Sequence, residues 1–310
     1  MSSGKARLKN VTAKQWVLFS TILIVCAIVL IIAASIFRST DNETNLNILR
    51  VGILPDDDDE IIRRRYAPLL SYLSEATGID TQLVLPSNYG KLVSLFNDQK
   101  IDLAYFGGLT FLQSYSVDIA EPLVMRDIDL RFTSFFFSKG TDSTADIYEF
   151  EGRKMSFGSH LSTSGHLMPR QYLQSIYQIN PESFFSEITY SGAHDTTVYN
   201  VRDGITDVGV ANSEIIVRMI NDGRLQPGEI NIFWETPPYS DYVWAVNRNL
   251  PTSIKSNLRD GFLTLSKVDK VHQIILTNLG ANNFVPAGIG DFSPLQEVAK
   301  KLDMIVLNKK

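Results

Sequence analysis

An uncharged apolar run near the N-terminus limits what this chain can fold into more than any other feature. Residues 16–37 read WVLFSTILIVCAIVLIIAASIF and contain no charged side chain. As an α-helix, which rises 1.5 Å per residue, this run would span about 33 Å, enough to cross the hydrocarbon core of a bilayer. The sequence therefore predicts one transmembrane helix over residues 16–37.

The charges that flank this run predict its orientation. No acidic residue precedes it, whereas four basic residues do: Lys5, Arg7, Lys9 and Lys14. The positive-inside rule then places residues 1–15 in the cytoplasm and makes the run a signal anchor in the cytoplasmic membrane. Residues 38–47 are polar and predict a spacer to a periplasmic or extracellular body. The alternative is a cleaved signal peptide, because small residues stand near the end of the run: Ala33, Ala34 and Ser35.

The composition of the body excludes several classes of function. Residues 39–310 carry 24 basic and 34 acidic side chains, a formal net charge of −10. This charge argues against nucleic acid as a partner, and it means that a bound anion must be held by local hydrogen-bond donors. The single cysteine, Cys26, excludes an intramolecular disulfide. The four histidines form no HExxH motif, so neither a metal nor a cofactor is expected.

Predicted strands and helices alternate along the body, which is typical of an α/β sheet that is largely parallel. The alternation starts near residue 48 and starts again near residue 140, so we expect two lobes. Two extended aromatic segments, Arg131–Lys139 and Asn231–Asn247, are interpreted as the strands that cross between the lobes. The predicted organisation is lobe 1 over residues 48–136 and 241–310, and lobe 2 over residues 137–240.

Loops that follow predicted strands hold the candidate binding residues, because ligands of α/β sheets bind beyond the carboxyl ends of the strands. One loop carries three consecutive hydroxyl side chains before a predicted helix start: Ser162, Thr163 and Ser164. Free N–H groups and the helix dipole favour an oxyanion there, although an ordinary N-cap is the alternative. A second loop supplies His194, and two strand ends supply Tyr89 and Tyr105; a structural role is the alternative for each.

Two carboxylates are further candidates. Asp241 lies in an extended aromatic segment, where it can accept a hydrogen bond from a protonated oxyanion or pair with a ligand amine. Glu214 is alternatively a first-turn helix acid. The acidic run Asp56–Glu60 is interpreted as a solvated loop that enters a helix. A hydrolase with Ser162 or Ser164 as nucleophile is the competing class, but no GxSxG motif accompanies these serines, so an enzyme is not expected.

Seven ordered segments of the body resemble one family, the PhnD-like periplasmic phosphate-, phosphite- and phosphonate-binding proteins of ABC transporters. The segments are LRVGILP, AYFGGLTF, RFTSFFF, FGSHLSTSGHLMPR, SGAHDTTVYNVRDGITDVGVAN, WETPPYSDYVWAVN and LGANNFVPAG. The resemblance implies a two-lobed clamshell of the type II periplasmic-binding-protein class. It also implies capture of a small phosphorus oxyanion for uptake through an ABC permease.

The same resemblance implies roles for individual residues. The S-T-S motif would hold the oxyanion, together with the family's first-lobe tyrosine and second-lobe histidine, which fall on Tyr89 and His194. In members that bind an aminophosphonate, two acids and a tyrosine hold the amine, at positions that look equivalent to Glu214, Asp241 and Tyr105. A retained membrane helix departs from the released or lipid-anchored members. A tethered subunit that reports to a sensor kinase is therefore the alternative function.

Overall fold

The computed structural model describes residues 46–141 and 146–305. The predicted membrane helix over residues 16–37 lies outside these ranges. Within them, no helix is both long and apolar enough to cross a membrane.

The first sheet has six strands in the order β11-β4-β10-β3-β1-β2. Strand β1 pairs in parallel with β2 and β3, while β10 runs antiparallel to both β3 and β4. The strands are β1 (Ile48–Ile53), β2 (Asp80–Val84), β3 (Leu103–Phe106), β4 (Ala120–Arg126), β10 (Val243–Asn247) and β11 (Phe284–Pro286). Because β1 and β3 are parallel, the loops after them open at the same edge of the sheet.

The second sheet has five strands in the order β7-β6-β8-β5-β9. Its strand β6 is parallel to β7 and β8, and β5 is antiparallel to β8 and β9. The strands are β5 (Ser134–Lys139), β6 (Lys154–Phe157), β7 (Glu187–Tyr190), β8 (Val208–Asn212) and β9 (Ile230–Glu235). The two sheets confirm the α/β architecture with two lobes that the alternation of elements predicted.

Helices cover the sheets of both lobes. Those of the first lobe are α1 (Asp59–Thr77), α2 (Tyr89–Asn97), α3 (Gly108–Ser116), α8 (Thr252–Thr264), α9 (Lys270–Leu279) and α10 (Ser293–Lys301). Those of the second lobe are α4 (Met168–Ser175), α5 (Pro181–Phe184), α6 (His194–Arg202) and α7 (Ser213–Asn221). A π-helical turn, Thr163–Leu167, runs directly into α4. Short 3-10 turns at Asp127–Arg131, Ile147–Phe150 and Ile289–Phe292 complete the described elements.

The chain crosses between the lobes twice, once between β4 and β5 and once between β9 and β10. The two crossings pair with each other, because the N–H groups of Phe132 and Tyr239 donate to each other's carbonyl oxygens at 2.8 and 3.0 Å. All six residues of β5 pair within the second sheet. The division between residues 136 and 137 that the sequence suggested therefore falls inside this strand.

Apolar side chains from the second lobe pack against the core of the first. That core is built around strand residues such as Trp244 and Phe106, and it also takes in Leu167 and Met168 from the start of α4. Two smaller clusters lie within the second lobe. The loop that carries the S-T-S motif is thus held between the two lobes.

Candidate functional site

The loop after β6 turns sharply to bring its backbone against β6 and α6. The Oγ of Ser162 accepts a hydrogen bond from the Gly165 N–H at 2.9 Å, and the Gly158 N–H donates to the Gly165 carbonyl at 2.8 Å. A Cβ on Gly165 would lie 2.9 Å from the His194 ring and 3.1 Å from the Gly158 Cα. Only glycine fits there, so this turn can place three hydroxyls in the cleft.

The three hydroxyls of the motif have different partners. Ser162 caps the turn, and its Oγ lies 3.5 Å from the His194 Nε2. Thr163 reaches across to the first lobe, where its Oγ1 accepts a hydrogen bond from the Leu109 N–H at 2.9 Å. The Oγ of Ser164 is buried and has no hydrogen-bond partner among the described residues. Ser164 is therefore the hydroxyl that is free to bind a ligand.

His194 is a neutral donor. It is fully buried at the start of α6, and burial lowers the pKa of its ring to about 3. Its Nδ1 accepts a hydrogen bond from the Asn212 N–H at 3.2 Å, which leaves the proton on Nε2, the nitrogen that faces Ser162. The ring therefore offers an N–H to the cleft and cannot take a proton from the serine.

His166, the other histidine beside the motif, is turned away from the serines. Its Nδ1 lies 2.9 Å from the His160 carbonyl oxygen, to which it can donate. Its Nε2 accepts a hydrogen bond from Arg170 at 3.0 Å and lies 3.2 Å from the Tyr190 hydroxyl. A serine hydrolase needs a base within hydrogen-bond reach of its nucleophile, and neither histidine is placed to act as one.

Tyr89 contributes an unpartnered hydroxyl from the first lobe. It is the first residue of α2 and is buried, and its OH has no hydrogen-bond partner among the residues that the structure describes. Burial raises its pKa well above the ordinary value, and the carboxyls of Asp56 and Asp241 raise it further, while Ser162 acts in the opposite direction. Tyr89 therefore stays protonated and can donate to an anion.

Asp241 lies in the return crossing with no exposed surface. Its Oδ1 accepts a hydrogen bond from the Gly108 N–H at 2.9 Å, at the start of α3, whereas its buried Oδ2 has no partner in the described part of the chain. Burial raises the pKa of this carboxyl to about 7, although the Gly108 N–H and the Thr163 and Ser164 hydroxyls act in the opposite direction. Asp241 can therefore donate or accept a hydrogen bond near neutral pH.

The interpretation of Asp56–Glu60 as a solvated loop was wrong for its first two residues. Asp56 and Asp57 are 6% and 5% exposed, while Asp58 caps α1 and the next two acids are exposed. The Oδ2 of Asp56 accepts from the Tyr242 hydroxyl at 3.3 Å, and its buried Oδ1 lacks a partner among the described residues. Burial raises the pKa of Asp56 to about 6. The sequence feature that could have identified these two residues is their position, since their loop follows β1 at the same edge of the sheet as the loop after β3.

Asp57 joins the two lobes through two arginines. Its Oδ2 lies 2.6 Å from Arg65 of the first lobe, and its Oδ1 lies 2.6 Å from Arg224, which follows α7 in the second lobe. Burial disfavours the charged carboxylate, but the two guanidinium groups hold the pKa of Asp57 below its ordinary value. The side chain of Asp57 is completely buried, so solvent screens these ion pairs very little.

Six of the eight predicted site residues come together: Tyr89, Ser162, Thr163, Ser164, His194 and Asp241. The other two, Tyr105 and Glu214, lie beside a neighbouring cavity that the S-T-S loop does not line. Tyr105 is stacked on Tyr242 with 5.1 Å between ring centroids, and Glu214 lies in the first turn of α7. The expected three-residue amine site of Glu214, Asp241 and Tyr105 is thus divided, with only Asp241 beside the hydroxyls.

Two α/β lobes joined by paired crossings, with buried neutral donors between them, are typical of a solute-binding protein. A family model confirms this class: "ABC transporter, phosphonate, periplasmic substrate-binding protein" matches residues 51–292. The chain belongs to this family of binding proteins.

Related proteins align with most of the chain. It is 28% identical over 277 residues to a probable ABC transporter phosphite-binding protein, PhnD1, of Prochlorococcus marinus, an alignment that covers 84% of this chain and 92% of that protein. It is 25% identical to the phosphate-import protein PhnD of Mycolicibacterium smegmatis, over 73% of this chain and 74% of that one. The crystal structure of PhnD1 with methylphosphonate superimposes with a TM-score of 0.79 at 27% identity, over 84% of this chain and all of that one.

We expect Arg224→Met to favour an open arrangement of the lobes. The substitution removes the interlobe ion pair but leaves Arg65 to neutralise Asp57, so the first lobe should still fold. Loss of such a partly buried pair should disfavour closure by about 1–3 kcal/mol. Small-angle X-ray scattering should show a larger radius of gyration. Arg202→Met is the matched control, since Arg202 pairs with the adjacent, exposed Asp203. Equal scattering from wild type and Arg224→Met would contradict an interlobe role.

Proposed function

We propose that this protein captures a small phosphorus oxyanion (phosphonate, phosphite or phosphate) between its lobes and delivers it to an ABC permease. One observation carries the proposal. Buried polar atoms that have no hydrogen-bond partner among the described residues converge on the cleft from both lobes and from the return crossing: the Tyr89 hydroxyl, the Ser164 Oγ, the Asp241 Oδ2 and the Asp56 Oδ1. Buried polar groups are normally hydrogen-bonded, so a polar ligand is the natural partner for this set. The oxyanion specificity of the family and its relatives supports the same ligand class.

Neutral hydrogen-bond donors suit a buried tetrahedral oxyanion better than a single positively charged side chain would. Ser164, Tyr89 and the Nε2–H of His194 are neutral, and the π-helical turn adds backbone N–H groups. Such donors can be buried without a large desolvation cost and still bind an anion in a body whose formal charge is −10. Release then requires only that the lobes separate, because no covalent step or ion exchange is involved.

Closure of the lobes about the paired crossings completes the site. Ser164 and His194 belong to the second lobe, Tyr89 and Asp56 belong to the first, and Asp241 lies in the return crossing. A ligand that bridges these groups gains its full set of hydrogen bonds only when the lobes are closed, so binding favours the closed arrangement. The Phe132–Tyr239 pairing is the point about which the lobes would turn.

Ser164→Ala should weaken binding of methylphosphonate by roughly 10- to 150-fold. This range follows from losing a hydrogen bond to a charged group, which contributes about 1.5–3 kcal/mol. Folding should be little affected, because the Ser164 Oγ has no intramolecular partner among the described residues. Isothermal titration calorimetry measures the affinity. Ser114→Ala is the matched control, since the Ser114 Oγ is also buried and unpartnered but lies in α3 outside the cleft. Equal losses of affinity in both variants would show that this loop does not bind the oxyanion.

Asp241 should control discrimination against sulfate in a pH-dependent way. Below a pKa of about 7 the carboxyl is protonated and can donate to any oxyanion; above it the carboxylate accepts only from ligands that carry a P–OH proton. Sulfate has no such proton, so its affinity for the wild type should fall up to tenfold per pH unit above pH 7.

The variant Asp241→Asn has an amide that does not titrate. It should bind sulfate more tightly above pH 7, with little change between pH 6 and 9, and it should bind hydrogen phosphate less well than the wild type. Titration calorimetry of both proteins with sulfate and with phosphate at several pH values measures these affinities. A sulfate affinity that falls equally with pH in wild type and variant would exclude Asp241 as the selecting group.

The apolar run over residues 16–37 supports a membrane tether, with the binding body outside the cytoplasmic membrane and the N-terminus inside. We expect the mature protein from native membranes to retain this run when its intact mass is measured. A mature N-terminus near Ile36 would identify a cleaved signal peptide instead.

Such a tether also favours a second function, a ligand-sensing subunit that reports to a sensor kinase. Deletion of the gene separates the two functions. Loss of phosphonate uptake supports transport, whereas unchanged uptake with a lost transcriptional response supports sensing.

A further inference from the structure

A group of large apolar side chains lies on the surface of the first lobe, around the turn that joins α8 to α9. Val268 in this turn is 95% exposed, and both Val271 and Ile274 of α9 are more than half exposed. Leu263 at the end of α8 is exposed as well. Single exposed apolar residues are common, whereas a group of them marks a contact surface. We call these four residues the turn patch.

Side-chain contacts place the turn patch at the C-terminal end of α1. The Tyr72 hydroxyl donates to the Gly261 carbonyl at 2.8 Å, and the Tyr72 and His272 rings meet edge to face with 5.1 Å between their centroids. Further along α9, the Asn278 side chain donates to the Arg65 carbonyl at 3.5 Å, so α9 runs antiparallel to α1. The turn before α9 therefore lies toward the end of α1.

The chain enters the first lobe at this same end. α1 ends at Thr77, and β2 begins at Asp80, which pairs with Ile48, the first residue of β1. Because α1 connects the parallel strands β1 and β2, its C-terminal end lies at the edge of the sheet opposite the binding cleft. Ile48 is itself exposed. The turn patch and the entry point of the chain thus share one end of the lobe.

The proposed membrane tether holds this end of the lobe near the bilayer. Eight residues, 38–45, separate the apolar run from Leu46, and such a segment can span at most about 30 Å. A globular body of this length has a radius of gyration of about 18 Å and is roughly 45 Å across. The entry point must therefore stay on the side of the body that is nearest to the lipid.

We propose that the turn patch contacts the bilayer, with Val268 and Val271 inserted among the phospholipid head groups. This inference rests on the membrane tether of the proposed function. Apolar burial must stabilise the contact, because the acidic Asp269 lies between Lys267 and Lys270 and the body as a whole is acidic, which leaves little attraction to anionic lipid. Two valines contribute little by themselves, but the tether makes the contact intramolecular and so raises its effective concentration.

Contact at this end of the lobe suits capture of a ligand from solution. The loops after β1 and β3 open at the other edge of the first sheet, so the cleft stays clear of the lipid. A contact made by a few apolar side chains is also weak enough to break when the body turns to meet a permease.

Lipid-borne quenchers test the contact. A fluorescent maleimide is attached at Val268→Cys in the full-length protein, which also carries Cys26→Ser, and the protein is reconstituted into phosphatidylcholine vesicles with or without brominated lipid. We expect brominated lipid to quench about half of the fluorescence. Ile205→Cys with the same label is the matched control, because Ile205 is also exposed but lies before β8 in the second lobe. Its label should keep its intensity.

Each other result contradicts the proposal in a different way. Equal quenching at both positions, or none at Val268, in vesicles that retain the protein would overturn the contact and leave the tether intact. A label that is shielded from water but not quenched by brominated lipid would indicate a protein partner instead of lipid. Protein that does not remain with the vesicles would overturn the tether and this inference together.

Charged substitutions assign the contact to the two valines. In a Leu263→Cys reporter, Val268→Asp combined with Val271→Asp should remove most of the lipid quenching, because a carboxylate pays a desolvation cost among the head groups. Both positions are exposed, so folding and methylphosphonate affinity should not change. Val217→Asp combined with Ile220→Asp, two exposed positions of α7, is the control and should preserve the quenching. Quenching that survives in the folded Val268→Asp, Val271→Asp protein would overturn the role of the turn patch.

Discussion

Two consecutive backbone N–H groups at the start of α3 determine how the lobes meet. The Gly108 N–H donates to Asp241 in the return crossing, and the Leu109 N–H donates to Thr163 in the second lobe, both at 2.9 Å. These N–H groups have no intrahelical acceptors, and the helix dipole adds to their attraction for oxygen. A Cβ on Gly108 would lie 2.3 Å from the end of the Leu295 side chain, so a larger residue here would displace that side chain. The helix start thus orients both Asp241 and the motif loop.

The candidate binding site depends on this arrangement, because the polar side chains beside these N–H groups become buried and lose alternative hydrogen-bond partners. Once Thr163 is committed to the first lobe, the next hydroxyl, that of Ser164, faces the cleft without a partner among the described residues. The backbone N–H of Asn212 fixes the tautomer of His194 on the opposite side. The result is a donor-rich pocket with two buried titratable acids, Asp241 and Asp56, which suits reversible binding of a partly protonated oxyanion. The Asp57 ion pairs add a second, electrostatic contact between the lobes.

The sequence by itself determined the class of fold and named most residues of the candidate oxyanion site. Alternating apolar strands and amphipathic helices predict an α/β architecture, since each periodicity fits only one way of burying apolar side chains. Hydroxyls and a glycine before a helix start indicate an oxyanion loop, because the local backbone alone supplies its free N–H groups. Tyr89, His194 and Asp241 could be named because strand ends of α/β sheets carry binding residues and because the ordered segments resemble one family.

Only the tertiary structure decided which polar groups are buried, which are paired and which share a cavity. Asp56 and Asp57 belong to a run of acids that predicts exposure, yet both are buried, and Asp57 forms ion pairs with Arg65 and Arg224. The difference between Thr163 and Ser164 depends on a helix in the other lobe. Tyr105 and Glu214 are separated from the hydroxyls by Tyr242, a ring contributed by the return crossing. Apart from the Asp57–Arg65 pair, each of these contacts joins residues far apart in the chain, and local sequence patterns carry no information about such contacts.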